Sequence, residues 1–73
     1  MNIAERKGRY SKKEFVQFLY IARGSLYETI SLLIISHKRN WIDDAQLDKL
    51  KDFGGEIGKK ISSLIRSIKT SMS

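Results

Sequence analysis

Cysteine and proline are absent from the 73 residues, and histidine occurs once, at His37. Without cysteine there is no disulfide framework, no zinc site built on thiolates and no thiol nucleophile; the redox compartment stays open but is compatible with the cytosol. Long apolar runs are also missing. The longest, Ile30 to Ile35, is interrupted by Ser31 and ends at Ser36, far short of the roughly 20 residues that cross a bilayer. Neither a signal peptide nor a membrane span is therefore expected, and the chain is expected in the cytoplasm. Length allows one small domain, residues 1–73. A single apolar core of this size seldom yields more than roughly 3 to 5 kcal/mol, so self-association is the first expectation.

Charge is plentiful and unevenly placed. Fourteen bases against eight acids give a net +6. Residues 1–13 carry Arg6, Lys7, Arg9, Lys12 and Lys13 against Glu5 alone, residues 43–56 run acidic, and residues 57–73 hold Lys59, Lys60, Arg66 and Lys69 with no acid. Basic ends of this kind attract phosphate backbones or anionic membranes, or simply keep a small helical protein soluble.

Two long helices account for most of the chain. Ser11-Lys12-Lys13-Glu14 has the form of a capping box, in which the serine hydroxyl and the glutamate carboxylate each satisfy a free backbone N–H. From there Phe15, Phe18, Leu19, Ala22, Leu26, Ile30 and Leu33 recur by threes and fours, the spacing that stacks side chains on one helical face. His37, Lys38 and Arg39 suit the negative end of a helix dipole, and Asn40 tolerates the left-handed conformation that ends many helices. The first helix is predicted over about 11–39. Asp43, with Gln46 three residues on, opens a second. Leu47, Leu50, Gly54, Ile57, Ile61, Leu64 and Ile68 form its heptad-like seam, and it is predicted over about 43–69. So short a connection between them forces an antiparallel hairpin.

The first helix is apolar on more sides than one neighbour can cover. Val16, Tyr20, Tyr27 and Ile34 form a second strip beside that of Phe15 to Leu33, and Ile21 and Leu32 reach a third side. Further helices are needed, and Val16, Tyr20, Tyr27 and Ile34 are the expected oligomer interface. Gly24 is expected at a helix contact, whereas Gly55 faces away from the seam.

Asn2-Ile3-Ala4-Glu5, Gly8-Arg9, Ser11-Lys12-Lys13-Glu14-Phe15, Phe18-Leu19, Ile21-Ala22 and Gly24-Ser25-Leu26 with Glu28 resemble, in order and spacing, the signature of the four-helix-bundle 23S rRNA intervening-sequence proteins. Trp41-Ile42 and Ile57 to Ile68 continue the likeness by pattern. Arg6 and Lys7 depart from the family's usual glycine, and Asn40 stands where a glycine is usual. The resemblance implies an all-α fold: an antiparallel hairpin with a short N-terminal helical stub, corresponding to the last two helices of a four-helix bundle. It also implies bacterial origin and homo-oligomers, pentamers in the family, with no catalytic residues to carry over.

An enzyme is the least supported class. His37 sits at a helix end with no acidic partner placed by the sequence to orient it. Asp43, Asp44, Asp48, Asp52 and Glu56 suit capping and a solvated face rather than a metal site. No catalytic group, metal, cofactor, small-molecule substrate or membrane partner is expected. The sharper expectation is RNA or DNA binding through Arg6, Lys7, Arg9, Tyr10, Lys12 and Lys13, with the bases on phosphates and the tyrosine stacked on a base. Its alternative is a purely structural or truncated, inactive product whose basic ends are solvated.

Overall fold

The computed structural model describes residues 11–72, which form two α-helices, α1 (Lys12–Lys38) and α2 (Asp44–Met72), with no strand among the described residues. The expected N-terminal stub lies outside them. They make one hairpin, not the four helices of a bundle.

Both starts are the boxes read from the sequence. Glu14 N–H donates to Ser11 Oγ at 3.1 Å while Ser11 N–H donates to Glu14 Oε1 at 3.3 Å. At α2, Gln46 N–H donates to Asp43 Oδ1 at 2.7 Å, and Asp43 N–H donates to Gln46 Oε1 at 2.9 Å. Asn40 takes φ 62°, a left-handed value. It lets the chain fold back so that Asn40 N–H reaches His37 O at 3.0 Å and Trp41 N–H reaches Ser36 O at 2.9 Å. Two carbonyls of the last turn are thereby satisfied, and the chain is turned into α2. α2 ends later than predicted, at Met72. Thr70 and Ser71 remain helical, their hydroxyls donating back to Arg66 O and Ile68 O, each at 2.8 Å.

Cross-links run antiparallel down the hairpin. Lys12 Nζ donates to Ser71 Oγ at 3.1 Å, Lys69 Nζ to Tyr20 Oη at 3.2 Å, and Arg23 Nη1 to Ser62 Oγ at 3.0 Å. At the turn, His37 Nε2 pairs with Asp44 Oδ1. The close approach of the helices is set by glycine, but not by the expected one. A Cβ on Gly54 would stand 3.1 Å from Ile30 Cδ1, and one on Gly58 would stand 3.5 Å from Leu26 Cδ2. Gly24 faces open space, as does Gly55. Gly24 points away from α2, and that side of α1 has no neighbour.

The hairpin is one layer thick. Its extents are 46 × 24 × 15 Å and its radius of gyration is 15.6 Å, against about 11 Å for a compact domain of this length. Among the described residues only Val16 and Ile65 are buried apolar side chains, while Ile21, Leu32, Ile35, Leu50, Phe53 and Leu64 are exposed. The hydroxyls of Thr29, Ser31 and Ser36 donate to carbonyls of their own helix, which removes polar donors from α1 and leaves an apolar surface.

That surface corrects one expectation. Although no uninterrupted apolar run is long, α1 as a whole is long and apolar enough to cross a membrane, with a mean hydropathy of 1.4 over its most apolar stretch. Its Arg23 is hydrogen-bonded to α2 through Ser62, and an arginine at mid-membrane costs about 2.5 to 3.5 kcal/mol on insertion scales. An apolar helix whose one arginine is engaged with its hairpin partner serves equally well as a packing surface for further helices.

Candidate interaction surfaces

The two helices meet along one line, and each side of that line has its own chemistry. At about 100° per residue, the α2 residues Leu50, Phe53, Ile57, Ile61, Leu64 and Ile68 share a stripe whose edge meets Phe15 of α1. Ser11, Lys12, Phe15, Leu64 and Ile68 line a shallow hollow there. Phe53 is 64% exposed, with Leu50 and Leu64 also open. Among the described residues nothing covers this apolar face. On α1, Ile21, Leu32 and Ile35 form a second exposed apolar strip, on the side turned away from α2.

The opposite side of the contact line is polar, basic and aromatic. Tyr20, Arg23, Ser62, Ile65, Arg66, Lys69 and Thr70 line a groove of about 470 Å³. A second hollow of about 360 Å³, between Tyr27, Gly55, Gly58, Lys59, Ser62, Ser63 and Arg66, shares Ser62 and Arg66 with the first. The two form one track. Arg23 is half-buried and held at two points: its Nη1 donates to Ser62, and its guanidinium lies 5.1 Å from the Tyr20 ring centroid. Lys69 meets the same ring from the other helix, with its Nζ 5.9 Å from the centroid and donating to the hydroxyl. Hydroxyls and a ring, rather than carboxylates, organise these cations. Among the described residues the ion pair present is His37 with Asp44, at the far end of the molecule.

The strip Val16, Tyr20, Tyr27 and Ile34 divides on folding. Val16 is buried inside the hairpin, whereas Tyr20, Tyr27 and Ile34 stay open at 41%, 53% and 37%. Of the expected nucleic-acid patch, Arg6, Lys7, Arg9 and Tyr10 lie outside the described residues. Lys12 and Lys13 are exposed at the start of α1, Lys12 reaching Ser71. His37 does acquire an acidic partner, Asp44, which the turn delivers and sequence spacing did not reveal. The pair ties α1 to α2. Among the described residues no three potential metal ligands come together.

The sequence pattern did not single out Arg23 and showed Arg66 and Lys69 only as part of a basic C-terminal end. A signal for Arg23 existed. Tyr20, Arg23 and Tyr27 are spaced three and four apart, on one face of α1. The convergence of Arg66 and Lys69 on that face has no signal in linear sequence, because it depends on which side of α2 meets α1.

Residues 1–63 match the family of the 23S rRNA-intervening sequence protein. No curated protein and no solved structure matches the chain.

Proposed function

The chain belongs to the 23S rRNA-intervening sequence protein family, and on that premise we propose that it is a non-enzymatic interaction protein that works by self-association. The observation that carries this reading is the single-layer hairpin, in which Val16 and Ile65 are the only buried apolar side chains among the described residues and apolar strips lie open on two separate sides. Burial is worth roughly 25 cal/mol per Å² of apolar surface, so a second helical layer is the direct way to stabilise such a unit. The strips differ: Leu50, Phe53 and Leu64 lie beside the contact line, and Ile21, Leu32 and Ile35 lie on the far side of α1. Two apolar patches on different sides favour head-to-tail contacts, which form a ring where the rotation between subunits closes. A pentamer, as the family resemblance implies, is the assembly we favour. Light scattering of the purified chain tests this: an oligomer that Phe53→Asp and Leu32→Asp each disrupt supports it, and a well-folded monomer at micromolar concentration refutes it.

A second reading, nucleic-acid binding, is favoured by the antiparallel chain path. Lys12 and Lys13 of the expected patch lie at the end of the hairpin where α2 carries Arg66 and Lys69. The acidic residues Asp43, Asp44 and Asp48 gather at the other end. RNA or DNA would be held through phosphates, with affinity falling steeply as salt rises. A purely structural protein would instead retain no nucleic acid at physiological ionic strength.

A further inference from the structure

Lys59, Arg66 and Lys69 have an ordinary reason to lie late in α2, since cations favour a helix C-terminus. That reason does not cover Arg23, in the middle of α1, or the meeting of Arg23, Arg66 and Lys69 in one groove. Like charges one turn apart repel, and folding by itself gains nothing from adding a third across the interface. Among the described residues no carboxylate lines either half of the track. An anionic ligand would turn this repulsion into attraction.

We propose that the groove between α1 and α2, lined by Tyr20, Arg23, Tyr27, Lys59, Arg66 and Lys69, is a binding track for the backbone of single-stranded nucleic acid. The site rests on the nucleic-acid reading above and is built from other residues than Lys12 and Lys13. From Gly55 to Thr70 the track runs about 22 Å along α2 at 1.5 Å per residue, long enough to follow several phosphates. Its cations are pre-positioned, Arg23 by Ser62 and Tyr20, and Lys69 by the Tyr20 hydroxyl, which reduces the ordering that binding requires. Tyr27 supplies the second element. Its ring is half exposed and rests on Gly58, while Gly55 on the same side of α2 faces open space, which leaves room for a base against the open part of the ring. Cations that follow a backbone, together with an aromatic platform, are the elements of single-strand recognition. A duplex, with its bases stacked inside, could use the cations but not Tyr27.

Fluorescence anisotropy with the full chain tests the site, using labelled oligouridylate, the matching duplex, and phosphatidylserine vesicles as a competing anionic surface. The variants are Arg66→Gln/Lys69→Gln, Tyr27→Ala and, as the patch control, Lys12→Gln/Lys13→Gln; Arg23 is kept because it bridges the helices. Each variant is first checked for unchanged helicity and oligomeric state. Arg66→Gln/Lys69→Gln should weaken oligouridylate binding about tenfold or more and reduce the salt slope by about 0.7 per cation removed. Tyr27→Ala should weaken single-strand binding about tenfold while leaving duplex binding unchanged. Loss of binding in the patch control alone would overturn the groove and leave the nucleic-acid reading standing. Absence of binding to either nucleic acid would overturn both, and so would binding to vesicles alone. Should Tyr27→Ala alter the oligomeric state, Tyr27→Leu replaces it, with the same single-strand-against-duplex contrast deciding.

Discussion

At the scale of single residues, the glycines show how much depends on what lies opposite a position. Four fall within the two helices, at 24, 54, 55 and 58, and in a helix interior each is disfavoured by up to about 1 kcal/mol relative to alanine. Gly24→Ala and Gly55→Ala place a methyl in open space, so each should raise stability toward 1 kcal/mol in urea denaturation. Gly54→Ala gains the same propensity but presses Ile30 Cδ1; its gain should be smaller, and Gly54→Leu should destabilise. The seam spacing of α2 already separated Gly54 from Gly55, but Gly24 had an equal claim to a contact. The position of α2 leaves Gly24 in open space. Arg23 is a second case, since its role comes from Ser62 on the other helix.

At the scale of elements, local chemistry is sufficient. The Ser11–Glu14 and Asp43–Gln46 boxes and the Asn40 turn involve partners at most five residues apart, and all three were legible because hydrogen bonds of that range are properties of the local chain. Ser11→Ala and Asp43→Ala should each cost about 1 kcal/mol, measured by the same denaturation. Asn40→Gly should be tolerated, whereas Asn40→Val forces a β-branched residue to φ 62° and should lower the melting temperature by several degrees. The end of α2 was less legible. Serine and threonine favour turns as readily as helix ends, and only the hydroxyl bonds to Arg66 O and Ile68 O show Thr70 and Ser71 within the helix.

At the scale of the whole molecule, the thin core governs behaviour. Ile65→Ala removes one of the two buried apolar side chains and should cost about 2 to 4 kcal/mol. Such a loss approaches all that a core of this size supplies. If assembly provides the remaining stability, the melting temperature should rise with protein concentration, and differential scanning calorimetry across a hundredfold concentration range would detect it. A concentration-independent transition would remove the basis for the self-association proposal. The exposed strips make the same point for α1. Polar side chains bonded to their own helix leave Ile21, Leu32 and Ile35 as the outer surface.

The sequence by itself determined two helices, their caps, the left-handed turn at Asn40 and the excess of apolar surface on α1, because each depends on spacing and on partners close along the chain. Tertiary structure alone decided which glycines touch, that Val16 is buried while Tyr20 and Tyr27 border a groove, and that Arg23 faces Arg66 and Lys69. These relations join residues more than 20 positions apart, and they follow from which side of α2 is turned toward α1. That choice rests on the packing of Gly54 and Gly58 against Ile30 and Leu26, a matter of shape between helices that periodicity within either helix does not contain.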